Sequence, residues 1–548
     1  MDPYPNAATD SALLVKHLLE RPLAWAPEEK IIYRDLREIS YREFHERVGR
    51  LAAVLHQLGI GPGDRVGVMD WDSHRYLEFF FAVPMMGAVL HTINVRLSPE
   101  QLLYTINHAE DKALFFHPDF VPLLEPMAGH CGHVQAFVAM PDHGEPPPVG
   151  FPLAGEYETL LAASTPVAEF PELPENTVAT LFYTTGTTGD PKGVFFTHRQ
   201  LVLHTLTAGF ALSANPDPCG IHYRDVYMPL TPMFHVHAWG VPYIATLLGL
   251  RQIYPGRYEP ALLLRLIQQH RVTLSHGVPT LLQMVLHAKE AAQIDLSHWK
   301  LIVGGAKLPP ALAREALDRG IRIAQGYGMS ETCPIIALSN YKPGVAEAAL
   351  EDRMGVLVRT GFPLPLVRAR ILDAAGKSLP PGPENVGELA LQAPWLTTGY
   401  FKEPEKSRAL WEGGWLHTGD LAYLDADGYI RITDRLKDVI KIAGEWISSL
   451  DLENALSHHE AVQEVAVIGV PDAKWGERPL ALVVPRPTHP HPPTSRELGA
   501  FLHTFIENGS LHKRAVLTRI VLVDELPRTS VGKIDKKTLR AEQASTPN

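Results

Sequence analysis

The sequence predicts an α/β protein: a large N-terminal domain of helix-covered mixed or parallel sheets with a small β-rich subdomain, followed by a small α+β C-terminal domain. Three observations carry this. Apolar strand-like runs alternate with amphipathic helical patterns over roughly the first 330 residues, which argues for parallel sheets covered by helices. Beyond residue 386 the pattern changes to short strands separated by turn residues. The last hundred or so residues alternate helix and strand on a smaller scale.

Ser40 and Glu43 form a capping box, and Tyr41, Phe44, Val48, Leu51 and Leu55 follow at helical spacing until Gly59 stops them. Residues 65–69 read as a strand. Ser98 caps a second helix with Pro99 at its first position and Gln101 three residues after the cap. Further strands are expected at 113–116, 134–140, 177–183, 301–303 and 322–324. The proline-rich stretches 141–152 and 485–493 have no periodic apolar face and read as surface connections. In the 386–439 region, Gly-Glu-Leu-Ala-Leu-Gln is a strand, and Asp425-Ala426-Asp427-Gly428 is a turn before the next. A boundary in this region divides the chain into 1–434 and 439–548, with 435–438 between them. The last part should contain helices at 449–458 and 495–507 and strands at 462–470, 480–484 and 520–523.

With 548 residues, 45% of them hydrophobic and 20% charged, the chain has ample material for a buried core. Its 61 acidic residues outnumber 50 basic ones, for a formal charge of -11, so no global basic field exists to hold nucleic acid. Three widely spaced cysteines, Cys131, Cys219 and Cys333, indicate neither a disulfide framework nor a thiolate metal site, and fit a cytoplasmic protein. The N-terminus lacks the basic-then-apolar pattern of a secretory signal. Residues 228–250 carry no Asp, Glu, Lys or Arg and are long enough to span a bilayer. Pro229, Pro232, Pro242, His235 and His237 interrupt them, so they are expected to line a buried site, with no transmembrane segment.

The sharpest local signal is Tyr183-Thr184-Thr185-Gly186-Thr187-Thr188-Gly189-Asp190-Pro191-Lys192-Gly193-Val194. A β-branched run delivers the chain into a loop whose glycines allow close backbone approach, whose threonines add hydroxyl donors, and whose Lys192 adds a cation. Those are the parts of a polyphosphate cradle. The register lacks GxxxxGK[ST], so the mechanism of the common P-loop does not transfer. A flexible surface turn is the alternative.

This loop resembles the phosphate loop of the adenylate-forming (ANL) superfamily, which includes acyl-CoA synthetases, luciferases and nonribosomal adenylation domains. Gly326-Tyr327-Gly328-Met329-Ser330-Glu331-Thr332 and Trp415-Leu416-His417-Thr418-Gly419-Asp420 resemble its second and third core motifs. Asp434-Arg435-Leu436-Lys437-Asp438 resembles the segment joining its two domains, and Pro527-Arg528-Thr529-Ser530-Val531-Gly532-Lys533-Ile534 its C-terminal lysine motif. The resemblance spans nearly the whole chain, in order. It implies that a carboxylate is joined to ATP with release of pyrophosphate and that the acyl group then passes to CoA. No Ser/His/Asp arrangement is needed, because a carboxylate is already ionised at pH 7. Catalysis then rests on alignment and on stabilising charge at phosphate oxygens.

The resemblance also implies roles. Lys533 is the mobile catalytic cation, and His235 flanks the reacting carboxylate. Thr184, Thr185, Gly186, Thr187, Thr188, Gly189 and Lys192 bind the triphosphate, with Thr184 and Glu331 toward Mg²⁺. Gly305, Ala306, Tyr327, Gly328 and Ser330 face the nucleotide, with Tyr327 stacking on adenine. Asp420 and Arg435 hold the ribose hydroxyls. Lys437 sits at the hinge of a mobile C-terminal domain, and Lys441, Gly444 and Trp446 lie toward the CoA tunnel, Gly444 where a side chain would obstruct pantetheine. The sequence departs from the commonest pattern in Ala443 and Trp446; the tryptophan resembles one branch of fatty-acyl-CoA ligases. Trp239, His235, Gly304 and Gly328 face the acyl group, Trp239 guarding the acyl tunnel.

Taken singly, each residue also has a structural reading: a solvated lysine, a surface ion pair, a buried tyrosine, a core histidine or tryptophan. Around Pro232-Met233-Phe234-His235-Val236-His237-Ala238-Trp239, apolar neighbours and no fixed cation favour an alkyl tail over an amino acid, whose ammonium would need a buried partner. The expected function is therefore an ATP- and CoA-dependent synthetase for a medium- or long-chain fatty acid. A ligase for a short acid such as 3-methylthiopropionate and a catalytically silent nucleotide- or lipid-binding relative are the alternatives. Expected partners are small molecules, with room for a homodimer.

Overall fold

The computed structural model describes residues 11–184, 190–442, 445–472, 474–487, 489–509, 511, 513, 515–517, 519–528 and 534–545. Among the described residues the strands form four sheets. A seven-stranded sheet runs in the order Gly155–Glu156, Ala136–Ala139, Asp111–Phe116, Arg65–Met69, Val89–Thr92, Val178–Thr184, Lys192–Thr197. Its neighbours are parallel except for the last pair, which is antiparallel. A nine-stranded sheet runs from Phe362–Pro363 through Ile335–Leu338, Arg322–Gly328, Lys300–Val303, Leu274–Gly277, Val226–Leu230, Arg251–Tyr254 and Lys30–Tyr33 to Arg37–Ser40. Its six central strands are parallel.

The helix His74–Met85 touches strands of both large sheets, and all of its residues are buried. Such a helix can carry charge only if every charge is met. Glu78 is met by Arg47 at 2.7 Å and by the Tyr157 hydroxyl, and Arg75 by Asp70 and Asp142. The β-rich part is an antiparallel sheet of Arg368–Leu372, Gly387–Gln392, Leu416–Leu424 and Ile430–Arg435. The fourth sheet, Ile440–Ile442, Glu445–Ile447, Val462–Asp472, Gly476–Pro485 and Arg519–Leu522, has its own core against Ser449–Ser457 and Ser495–Glu507, with Leu452, Val467, Val483 and Leu498 at its centre. This is the α/β class with a small C-terminal α+β domain that the alternation of elements implies.

Local rules account for many boundaries. Helix Tyr41–Gln57 starts on the full capping box, with the Glu43 amide donating to Ser40 Oγ and the Ser40 amide to Glu43 Oε2. Helix Pro99–Ala109 starts at Ser98, which accepts from the Gln101 amide. Other boundaries move for tertiary reasons. The strand expected at 134–140 shortens to Ala136–Ala139, because the Val134 amide closes a turn onto Cys131. That at 322–324 extends to Gly328 by pairing with Ile335–Leu338. Those at 462–470 and 480–484 lengthen into one hairpin, in which Glu477, Arg478 and Pro479 pair although they look like loop. Residues 228–250 fold as the end of a strand, a tight turn and the helix Val241–Leu248, and no helix among the described residues is long and apolar enough to cross a membrane.

Candidate active site

In an open parallel sheet the segments leaving the carboxyl ends of the strands share one edge, where ligands bind. Four such segments meet there: 231–239 after Val226–Leu230, 278–281 after Leu274–Gly277, Gly304 and Gly305 after Lys300–Val303, and Ser330 and Glu331 after Arg322–Gly328. The first three line a cavity of about 90 Å³ through Leu230, Thr231, Pro232, His235, Trp239, Val278, Thr280, Leu281 and Gly305. The His235 amide closes a turn onto the Pro232 carbonyl. Gly304 has to be glycine: a Cβ there would lie 2.8 Å from the Gly326 carbonyl oxygen and 2.9 Å from the Trp239 ring. Gly328 is tighter still, with a Cβ falling 1.8 Å from the Pro334 oxygen. Gly305 and Ala306 follow as exposed backbone, Gly305 at φ 76°.

The short segment from Tyr327 to Glu331 joins two polar clusters. At its start the Tyr327 hydroxyl donates to Asp420 Oδ2 at 2.5 Å, and Arg435 Nε lies 3.3 Å from Asp420 Oδ1. Asp420 and Arg435 are register partners on adjacent antiparallel strands, which fixes the pair. Burial, reinforced by Asp420, raises the Tyr327 phenol well above its ordinary range, so it stays a donor. At the other end Glu331 is buried on the turn Ser330–Thr332, and its carboxylate accepts from the Tyr400 hydroxyl at 2.7 Å. Lys192 Nζ stands 4.6 Å over the Tyr400 ring. Backbone bonds from Thr397 to Glu331 and from Phe401 to Gly193 tie this turn to the strand that begins at Lys192. Thr184 ends the preceding strand as the register partner of Lys192. Four residues span at most about 14 Å of backbone, so both clusters hang on one short segment.

A Mg²⁺ ion fits the Glu331 end chemically. Magnesium takes oxygen ligands, often one or two carboxylates with the remainder from phosphates and water. Glu331 offers a second oxygen beyond the one bound to Tyr400, and no group of three or more His, Cys, Asp or Glu residues able to hold a metal exists among the described residues. If Tyr400 orients that carboxylate, Tyr400→Phe should raise the Mg²⁺ concentration for half-maximal activity by about 10- to 100-fold, the worth of one hydrogen bond to a charged group. A metal titration of initial rates measures this.

Lys437 is exposed in the turn after Arg435. Lys441 and Trp446 are register partners in the hairpin that follows, and Trp446 is 45% exposed. Thr185, Gly186, Thr187, Thr188, Gly189, Gly444 and Lys533 lie outside the described residues. The segment just after Lys533 contacts residues 434–453: Lys536 bonds Ser449 and Glu453, Ser449 bonds Asp434, and Arg540 pairs with Asp438 at 2.7 Å.

One expectation is corrected. The cavity does carry a cation in its lining, the exposed Arg96, whose guanidinium lies 5.9 Å from the Phe234 ring. Arg96 leaves the carboxyl end of a strand in the other large sheet, so nothing in residues 232–239 announces it. Sequence reasoning also missed Tyr400, and Tyr258 with Asp72. Tyr258 lines the cavity and donates to Asp72 Oδ2, while the Met233 amide donates to Oδ1. Burial pushes the Asp72 carboxyl up to about 7.

Residues 19–401 match the family model described as "AMP-binding enzyme", and residues 451–533 match "AMP-binding enzyme C-terminal domain". The chain is 41% identical to a long-chain-fatty-acid–CoA ligase of Thermus thermophilus, over 99% of this chain and 98% of that protein. It is 36% identical to a 3-methylmercaptopropionyl-CoA ligase of Ruegeria pomeroyi, over 97% of each. Among solved structures, ATP-bound MatB from Rhodopseudomonas palustris superposes with a TM-score of 0.81 at 26% identity, covering 96% of this chain and 99% of that one.

Proposed function

The chain belongs to the AMP-binding enzymes, and on that premise we propose that it is an AMP-forming acyl-CoA synthetase, which converts a fatty acid to acyl-AMP with release of pyrophosphate and then transfers the acyl group to CoA. The observation that carries the reading is the Tyr327–Glu331 segment, which meets the Asp420 carboxylate at one end and carries the buried Glu331 carboxylate at the other, groups suited to ribose hydroxyls and to a metal ion respectively. In this reading the cavity edge between them receives the acid, with His235 beside its carboxylate and Trp239 along its chain. The Gly/Thr loop and Lys192 take the phosphates, and Mg²⁺ would offset their charge. Lys533 supplies the cation of the first half-reaction. The division at 435–438 into a domain of residues 1–434 and one of residues 439–548 belongs to the same proposal. Its support is the separate core of the C-terminal sheet and the polar contacts across the turn. Lys441, Gly444 and Trp446 are assigned to CoA; a homodimer is proposed on the resemblance alone, and a cytoplasmic location on the three widely spaced cysteines.

A second reading is favoured by one observation. The cavity is small and bears Arg96, Thr231 and Thr280, which suits a short or polar-ended acid such as 3-methylthiopropionate. A panel of straight-chain acids from acetate to palmitate, with 3-methylthiopropionate, at fixed ATP and CoA separates the two. The fatty-acid reading expects kcat/KM to peak at medium or long chains; a peak at the short acids transfers the assignment to the second.

A further inference from the structure

The turn carrying His235 and Trp239 has a backbone that its own residues do not favour. Val236, His237, Ala238, Trp239 and Gly240 have φ of 49°, 56°, 47°, 59° and 71°, making one turn of left-handed helix. In L residues this brings Cβ against the following carbonyl, so such conformations occur singly and in glycine, asparagine or histidine rather than in runs. Val236, Ala238 and Trp239 gain nothing from it locally. The surroundings must impose it.

The imposing contacts lie at two points. His237 is wholly buried, with neither ring nitrogen hydrogen-bonded. Its ring lies among those of Phe182 at 5.4 Å, Phe80 at 5.8 Å, Tyr243 at 6.2 Å and Phe196 at 6.3 Å. These come from two strands of the seven-stranded sheet and two helices. Burial lowers the imidazole's pKa to about 3, so it sits there neutral, as an aromatic wedge. At the far end Trp239 lies over Gly304 and 5.1 Å from the His276 ring, against the nine-stranded sheet. The turn is thus pinned to one sheet through His237 and to the other through Trp239.

We propose that His237 is a positioning residue: by filling the aromatic cage it clamps residues 236–240 in the left-handed form and so sets where His235 and Trp239 face the acyl cavity, which makes it a determinant of acyl-chain selectivity. This rests on the reading of the cavity as the acyl site. His237 itself touches no substrate; it acts through its neighbours in the turn.

The test compares wild type, His237→Ala, His237→Asn and Ala238→Gly with the acid series from acetate to palmitate, recording kcat and KM for each acid, KM for ATP, and Tm. Asparagine accepts the left-handed backbone and protects the test if the alanine variant does not fold. Emptying the cage should lower kcat/KM for the preferred acid by about 10- to 100-fold and flatten the chain-length profile, with KM for ATP unchanged. Ala238→Gly, which removes a disfavoured Cβ and leaves the cage intact, should keep the profile and a Tm at or above wild type. Chain-length profiles of both His237 variants superimposable on wild type, whatever their Tm, would overturn the proposal. Wild-type inactivity toward every acid would instead defeat the acyl-site reading itself.

Discussion

Glu331→Gln is expected to cut adenylation by about 10²- to 10³-fold while leaving the fold intact, the loss typical of removing one preorganised electrostatic group from a reaction centre. The substitution is nearly isosteric. The Tyr400 hydroxyl can still donate to the remaining amide oxygen, and Thr397 still bonds the main-chain carbonyl, so the turn Ser330–Thr332 keeps its supports. What disappears is a negative charge in a buried position beside the Lys192–Tyr400 pair. If that charge holds Mg²⁺ against the phosphates, the variant should bind ATP weakly at ordinary Mg²⁺ and recover part of its rate as the metal is raised. Single-turnover formation of acyl-AMP across a Mg²⁺ series measures both effects. A wild-type rate in Glu331→Gln would remove the carboxylate from the metal and leave it a partner of Tyr400 alone.

Acid should destabilise the protein well above the ordinary carboxylate range. Burial lowers His198 to about 4, and His204, His237 and His276 to about 3. Unfolding returns each to about 6.5, so between about pH 4 and pH 6.5 the unfolded chain binds a proton at each that the folded chain refuses. The stability these groups contribute is present above pH 6.5 and is lost as the pH falls. Asp72 acts oppositely: its folded carboxyl keeps a proton up to about 7 and loses it on unfolding, so it offsets one of the four. For these five groups alone, four protons less one leaves three, or about 4 kcal/mol per pH unit near pH 5 at about 1.4 kcal/mol per proton; the raised carboxyls of Asp111, Asp434, Asp451 and Glu453 reduce that slope and the lowered His74 adds to it. Urea midpoints between pH 7 and pH 5 test this: a fall is expected, and midpoints that stay constant would contradict an excess of neutral buried histidines over raised carboxyls.

The motifs were legible because their parts are close in sequence. The Gly/Thr loop, the Tyr327–Glu331 segment and the strand bearing Asp420 each announce themselves within a dozen residues. Their partners were not. Tyr400 reaches Glu331 from 69 residues away, and Tyr258 reaches Asp72 from 186. Arg96 enters the cavity from a different sheet, and no local pattern encodes such a meeting. The left-handed turn was illegible for another reason: Val-His-Ala-Trp contains no glycine, so its residue types forecast the opposite sign of φ, and only packing reverses it. Local capping rules placed the starts of Tyr41–Gln57 and Pro99–Ala109, whereas the long hairpin Val462–Asp472 and Gly476–Pro485 depends on pairing that overrides its polar composition.

The central claim is that one site first makes an acyl-adenylate and only afterwards needs CoA. Exchange of labelled pyrophosphate into ATP, measured with and without a carboxylic acid and in the absence of CoA, tests it directly. Acid-dependent exchange, followed on adding CoA by equal amounts of AMP and acyl-CoA, is the predicted result; no exchange with any acid, or ADP and phosphate as products, would contradict it.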